Sequence, residues 1–206
     1  MLLQTPTPSV DKAIFVTTFN MGEAGFDTEA GLALGEWLPP GYSIYSVGLQ
    51  ECLVLEDVRK TILAHLEAVN KGTTYEVFAR EIGSANTTLK YHGFIAITVF
   101  VAKAEVESGK VKLQEAVKPA VNQGIDTRIL GRASNKGAVG LSLTYYNTSL
   151  AFTTAHFASD SGGNRRFKKR NENAIVCAPS LPPAYLAPLL AAFGSPSRRC
   201  RMQRQL

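Results

Sequence analysis

The sequence has 206 residues, of which 45% are hydrophobic and 19% are charged, and its mean hydropathy is close to zero. This balance is typical of a globular protein and excludes a disordered chain or a bundle of membrane helices. The formal net charge of +5 is unevenly placed, because residues 1–159 carry 13 basic and 15 acidic residues whereas residues 160–206 carry nine basic and two acidic ones. A uniformly basic surface for nucleic acid is therefore not expected.

The cysteines and the N-terminus indicate an intracellular setting. Cys52, Cys177 and Cys200 are odd in number and widely spaced, so they predict neither a zinc site nor a disulfide framework. Residues 1–6 lack the basic and apolar regions of a secretory signal. We therefore expect a cytoplasmic location.

In chain order, the first predicted element is a strand over 13–20, rich in β-branched and aromatic residues. A short helix over 28–37 follows, and a second strand covers 42–50. The clearest helix covers 53–69, because its apolar residues recur at spacings of three and four positions. The sequence Asn70-Lys71-Gly72 predicts its end.

The following segments are mostly strands, predicted over 73–82, 94–102, 137–145 and 150–157. Residues 94–102 are almost wholly apolar, which is expected of a strand covered on both faces. Residues 147–149 (Asn-Thr-Ser) predict the turn of a hairpin. A basic helix is predicted over 165–176. This order favours a mixed sheet, or two sheets, with helices outside.

The C-terminal tail differs in composition from the rest. Residues 173–197 carry no charge and include five prolines, which argue against a membrane-spanning helix. The end of the chain is rich in arginine and is predicted to be a disordered terminus, with contact to anionic lipid or nucleic acid as the alternative.

Polar residues at strand ends are the first candidates for a site. Asn20 closes the first predicted strand and can lie beside a metal ion or form an Asx turn. Glu51 follows another strand and is either a ligand for a hard cation or an acid near the next helix N-terminus.

The other candidates are basic. Lys136, before a strand and beside Gly137, can pair with a phosphate or belong to an ordinary loop. His156, at the end of a strand, can donate to a phosphoryl oxygen or be structural. His65 and His92 are interpreted as structural, with His65 facing solvent.

Taken together, the segments around these residues resemble the catalytic domain of the inositol polyphosphate 5-phosphatases, within the endonuclease/exonuclease/phosphatase superfamily. Residues 15–22 resemble the T-W-N motif, with Phe19 where tryptophan is usual. Residues 45–51 resemble the G-L-Q-E motif, residues 135–140 the N-K-G-G-V segment and residues 152–159 the S-H-L motif. Lys169-Arg170-Asn171 resembles R-R-N.

The resemblance implies an α/β fold, a four-layer α/β/β/α sandwich that is incomplete at its C-terminus. The catalytic domain would cover 12–176, and the divergent tail 177–206. It also implies Mg²⁺-dependent hydrolysis of the 5-phosphate of phosphoinositide lipids or soluble inositol polyphosphates, with peripheral contact to membranes.

The same resemblance assigns roles to residues. Glu51 would hold Mg²⁺ with Asn20 close by, and Asn20 and His156 would be catalytic, with His156 bonding the scissile phosphate. The substrate-binding residues would be Lys136, Arg170 and Asn171.

Two later motifs of the family, of the types G-D-L-N-Y-R and S-D-H, do not occur. No aspartate follows Asp160 and no histidine follows His156. We therefore expect little turnover from these 206 residues alone, as for a truncated sequence. The alternatives are a non-catalytic remnant that binds Mg²⁺ or phosphoinositide, and a phosphodiesterase of the same superfamily. No nucleic-acid partner is expected, and the oligomeric state stays open.

Overall fold

Strands rich in apolar residues form two sheets in the computed structural model, which describes residues 14–25, 28–85, 93–113 and 136–157 together with Phe167 and Arg170. Side chains of residues 28–32 are not described. The elements are β1 (Ile14–Asn20), α1 (Thr28–Trp37), β2 (Ile44–Cys52), α2 (Leu55–Val69), β3 (Tyr75–Ser84), β4 (Gly93–Ala102), α3 (Lys103–Glu107), β5 (Val111–Leu113), β6 (Gly137–Tyr145) and β7 (Thr148–His156).

The larger sheet has the strand order β1-β2-β4-β3. β1 and β2 are parallel, as a crossover through α1 requires, and β4 is antiparallel to both of its neighbours. β4 is buried along almost its whole length. The prediction that it is covered on both faces is therefore confirmed.

One face of this sheet is covered by α1 and α2. The apolar stripe predicted for α2 packs against Tyr45, Val47 and Leu49 of β2 and Phe100 of β4. Burying each such side chain stabilises the fold by about 1.5–3 kcal/mol. The stripe residues that are buried are Leu55, Val58, Ile62 and Leu66.

The opposite face packs on the smaller, antiparallel sheet, which has the order β5-β6-β7. Because successive strand residues point to opposite faces, β4 places Ile97 and Val99 in the core between the sheets. Val139, Leu141 and Leu143 of β6 complete that core from the other side. The described residues thus form a helix layer and two sheet layers.

Some sequence predictions need correction. The hairpin turn lies at Tyr146 and Asn147, with φ +52° at Tyr146, and Thr148 and Ser149 already pair within the sheet. His65 does not face solvent: its Nε2 lies 3.1 Å from the carbonyl oxygen of Leu38. Its structural role fits this contact.

Two short elements, α3 and β5, were not predicted from the sequence. Together they lead the chain from β4 in one sheet to β6 in the other. Five and three residues are too few to show a period, so these elements depend on packing and on pairing with β6.

The predicted basic helix and C-terminal tail lie outside the described residues, except for Phe167 and Arg170, whose backbone is helical. None of the helices among the described residues is long and apolar enough to cross a membrane.

Candidate active site

Four strand ends meet at one end of the sandwich. Asn20 and Gln50 are partners in the parallel pair, so the C-terminal ends of β1 and β2 lie side by side. In the smaller sheet Gly137 pairs with His156, so β6 begins where β7 ends. The two sheets meet here at Gly48, where an added Cβ atom would lie 2.7 Å from the Oγ1 of Thr154.

Glu51 adopts an unusual backbone conformation, with φ +52°. It lies where the pairing of β2 with β4 is irregular, between Leu49 and Cys52. Gly93 of β4, with φ +79°, lies against this irregular stretch, and a Cβ atom there would be 2.7 Å from the backbone nitrogen of Cys52. The bulge turns Glu51 out of the strand alternation and towards the strand ends.

Glu51, Lys136 and His156 form one cluster. Glu51 Oε1 lies 3.1 Å from His156 Nε2 and 3.9 Å from Lys136 Nζ. Lys136 Nζ also contacts His156 Nε2 directly. The three side chains are 24%, 18% and 13% exposed, respectively, so they are held by their surroundings yet reachable from solvent. The structure thus brings together three of the residues predicted from sequence.

The charges of the cluster are coupled. Burial lowers the pKa of Lys136, while the nearby carboxylates of Glu51 and Glu23 partly oppose that shift. The Nε2 of His156 can accept from the Lys136 ammonium only when it carries no proton, and it can donate to Glu51 only when it carries one. Nε2 of His156 therefore carries a proton when it donates to Glu51 and carries none when it accepts from Lys136.

Asn20 lies at the same edge but makes a local contact. Its Oδ1 accepts a hydrogen bond of 2.8 Å from the backbone N–H of Gly22, which is the Asx turn considered as an alternative. The loop that follows is fastened to β2, since the N–H of Glu23 donates to the carbonyl oxygen of Glu51 at 3.0 Å. Asn20 is exposed.

Three polar residues beneath the cluster were missed by sequence reasoning. The Nε2 of Gln50 donates to the Oγ1 of Thr18 at 2.9 Å and to the Oγ1 of Thr154 at 2.6 Å. Gln50 and Thr154 are buried. The available signal was their spacing, one or two residues before Asn20, Glu51 and His156.

The two remaining predicted residues lie further along the chain. The guanidinium carbon of Arg170 lies 5.1 Å from the centre of the Phe167 ring. Asn171 is outside the described residues. Their assignment to substrate binding stays a prediction.

The donor set at this edge fits a hard divalent cation. No three His, Cys, Asp or Glu side chains converge within the described ranges. Mg²⁺, however, keeps several waters and is commonly held by only one or two carboxylates plus substrate phosphate. Glu51 supplies one carboxylate, and Asn20 an amide oxygen on the neighbouring strand end.

Comparison with known proteins decides the family. The sequence model of endonuclease/exonuclease/phosphatase family 2 matches residues 17–181. The chain belongs to this family. That match includes all four strand ends of the candidate site.

Relatives within the family are consistent with the motifs. The phosphatidylinositol polyphosphate 5-phosphatases type IV of Homo sapiens and Mus musculus are 26% identical over 164 residues and 27% identical over 166 residues. Each alignment covers 75% of this chain and 21% of the relative, so the chain spans about a fifth of the length of these curated relatives. The resemblance that the motifs indicated is thereby confirmed.

A solved structure supports the fold. The inositol polyphosphate 5-phosphatase domain of SPsynaptojanin, in complex with inositol (1,4)-bisphosphate and a calcium ion, superimposes with a TM-score of 0.58 at 21% identity. The match covers 82% of this chain and 46% of that one. The predicted fold class, that of the endonuclease/exonuclease/phosphatase sandwich, is confirmed.

Proposed function

We propose that this chain forms part of the catalytic domain of an enzyme that removes the 5-phosphate from phosphoinositide lipids or soluble inositol polyphosphates. The observation that carries the proposal is the convergence of Glu51, Lys136 and His156, with Glu51 Oε1 within 3.9 Å of both basic side chains. Phosphoryl transfer depends mainly on positioning and charge neutralisation, which such a cluster can provide. The similarity to 5-phosphatases supports the choice of substrate class.

The two basic side chains act on the phosphate. A phosphoryl oxygen is a stronger acceptor for the Lys136 ammonium than an imidazole nitrogen, because it carries negative charge. When a phosphate enters, Lys136 can turn to it and release His156. His156, which carries no proton on Nε2 while it accepts from Lys136, then takes up a proton from solvent. With that proton it donates a hydrogen bond to another phosphoryl oxygen, where charge develops as the ester bond breaks.

Glu51 is assigned to the metal ion. Its carboxylate would hold Mg²⁺, with Asn20 as a second oxygen donor at the same sheet edge. When bound, the ion would polarise the phosphate and neutralise part of its charge. Glu51 also keeps His156 in place through the contact of 3.1 Å.

The test measures phosphate release from vesicles containing PtdIns(4,5)P₂ or PtdIns(3,4,5)P₃ and from soluble Ins(1,4,5)P₃, with Mg²⁺. It compares the 206-residue chain with a longer version carrying the G-D-L-N-Y-R and S-D-H motifs. We expect turnover in the longer version. Glu51→Gln and His156→Gln should each lower it about 100-fold or more, and EDTA should abolish it.

Matched substitutions control for the change of side chain. Glu56→Gln and His65→Gln remove the same groups on α2, and both should leave turnover unchanged. Turnover that survives EDTA and His156→Gln would contradict the proposal. Hydrolysis of phosphodiesters alone would favour the phosphodiesterase alternative, and Mg²⁺ binding without phosphate release would favour a non-catalytic module.

A further inference from the structure

A polar tie lies directly beneath the candidate active site. It consists of Thr18 on β1, Gln50 on β2 and Thr154 on β7. The Gln50 amide nitrogen has two hydrogens, and its bonds of 2.9 Å to Thr18 and 2.6 Å to Thr154 use both of them. One side chain therefore fastens three strands from two different sheets.

The polar tie has a fixed relation to the residues above it. Side chains two positions apart on a strand point to the same face, so Thr18 lies below Asn20 and Thr154 lies below His156. Gln50 directly precedes Glu51, whose carboxylate reaches across to His156 at 3.1 Å. The distance between β2 and β7 at the level of the polar tie therefore sets the distance between Glu51 and His156.

The residues around the polar tie favour the observed distance between β2 and β7. Gly48 lies on the same face of β2 as Gln50, and its missing side chain lets Thr154 approach the backbone of β2. Thr154 and Gln50 are 4% and 7% exposed, so water cannot readily replace their hydrogen bonds. A larger separation would leave buried polar groups without partners.

We propose that Gln50 and Thr154 are positioning residues, which hold Glu51 and His156 at the separation needed for binding a divalent cation and a phosphate. The inference rests on the proposed function for the identity of the ligands. A positioning role differs from a purely structural one because loss of the polar tie would change the distance between Glu51 and His156, and not the stability of the fold alone. Outer partners of metal ligands commonly change metal affinity about 10–100-fold when removed.

The first measurement is the affinity for Mn²⁺, as a probe for the cation, in the full chain. Gln50→Met and Thr154→Val keep the approximate shape and remove the hydrogen bonds, and each should weaken Mn²⁺ binding about 10-fold. Ser46→Ala is the matched control, because Ser46 is buried on the same face of β2 and its Oγ makes no hydrogen bond with any other residue that the structure describes. It should bind Mn²⁺ like the original sequence.

The second measurement needs no metal. The chain has three histidines, so the ring nitrogens of His156 can be assigned by nuclear magnetic resonance with the help of His156→Gln. Glu51→Gln should shift the Nε2 signal of His156 in the original sequence. In the Thr154→Val background the same substitution should shift it by less than half as much, because the two side chains have moved apart.

The outcomes separate the two proposals. Variants that fold, bind Mn²⁺ within twofold of the original and keep the full response of His156 would overturn the positioning role. If the original chain binds no Mn²⁺, the assignment of Glu51 as a metal ligand fails, while the response of His156 still decides the role of the polar tie. If Gln50→Met does not fold, Thr154→Val decides, since valine is a favourable strand residue and only one bond is lost.

Discussion

Glycine at position 93 is needed for two separate reasons. Its φ of +79° disfavours any side chain, and a Cβ atom would lie 2.7–2.8 Å from backbone atoms of Glu51 and Cys52. Gly72 has a similar φ of +82°, but none of the described residues has an atom within 4 Å of where its Cβ would be. Comparing substitutions at these two glycines therefore distinguishes the cost of backbone strain from the cost of a steric clash.

Gly93→Ala should therefore destabilise the protein more than Gly72→Ala. Both should lose about 1–2 kcal/mol of unfolding free energy for the left-handed conformation. Gly93→Ala should lose about 1–3 kcal/mol more, as overpacked sites do. Urea denaturation measures both values. Equal losses would show that the bulge bearing Glu51 adapts to a side chain on β4.

Tyr75 predicts a dependence of stability on alkaline pH. Burial, reinforced by the neighbouring Tyr45 and Glu67, raises the pKa of Tyr75, and its hydroxyl donates to the carbonyl oxygen of Tyr42 at 3.0 Å. The folded state therefore keeps this proton at a pH where the unfolded chain, with a tyrosine pKa of about 10, loses it. The stability from this group is present below pH of about 10 and is lost as pH rises above that value.

Tyr75→Phe removes the titrating group. At pH 7 the variant should be less stable by about 1 kcal/mol, because the hydrogen bond is lost. Between about pH 9 and pH 11 its stability should fall less steeply than that of the original, so the difference narrows. Urea denaturation across this range measures it, with Tyr146→Phe at an exposed position as the control. Parallel curves would contradict the linkage.

The structure brings together three of the four charged residues that the sequence proposed for the site, whereas the neutral residues beneath them were not proposed; the roles of the charged residues stay predictions. Glu51, Lys136 and His156 could be singled out because each is an ionisable group beside one end of an apolar strand. Gln50, Thr18 and Thr154 could not, since their roles depend on β1, β2 and β7 meeting across two sheets. For Asn20, the structure shows the Asx turn that the sequence left as an alternative.

At the scale of elements, α2 is fastened to the sheet by Arg59. Its guanidinium lies 2.7 Å from carboxylate oxygens of Glu56 and Glu81, and its Nε donates to Thr98 Oγ1 at 3.1 Å. The Arg59 side chain is only 11% exposed. It links the helix to β3 and β4.

Arg59→Met should lower the unfolding free energy by about 1–3 kcal/mol, because it leaves Thr98, which is buried, without this partner. Arg59→Lys should recover only part of the loss. Lysine keeps the positive charge, but it cannot form the planar contact with two carboxylates. Glu56→Gln weakens a contact whose carboxylate side is 70% exposed and should cost about 0.5 kcal/mol or less. If Glu56→Gln lowers the unfolding free energy as much as Arg59→Met does, the stabilisation by Arg59 comes mainly from its exposed ion pair with Glu56.

The elements that could be predicted are those with long patterns. α2 shows four buried residues at helical spacing, and β4 is apolar apart from Thr98, so both were predicted from local sequence. The partners of Arg59 were not predictable, because Glu81 and Thr98 lie 22 and 39 positions away. The strand order was not predictable for the same reason. β4 lies between β2 and β3 because of contacts between residues that are distant in sequence, which no local pattern specifies.

For the whole molecule, the larger sheet separates two hydrophobic cores. One contains α1, α2 and one face of the sheet, and the other lies between the two sheets. The candidate active site lies where strand ends of both sheets meet, so its geometry requires that the sheets stay docked. The order of the predicted elements left one mixed sheet or two sheets open, and the family resemblance implied two. Neither could predict that a single end of the sandwich would hold all four strand ends.

The two cores should unfold as one unit. Leu143 on β6 is fully buried between the sheets, whereas Trp37, the single tryptophan of the chain, lies on α1 on the other side of the larger sheet. Leu143→Ala should cost about 2–5 kcal/mol through lost burial and the cavity left behind. In urea, Trp37 fluorescence and far-ultraviolet circular dichroism should report the same shifted midpoint. Leu113→Ala, at an exposed position on β5, should shift both signals far less. An unchanged Trp37 transition in Leu143→Ala would show that the smaller sheet separates before the helix side unfolds, and the candidate site would then open without global unfolding.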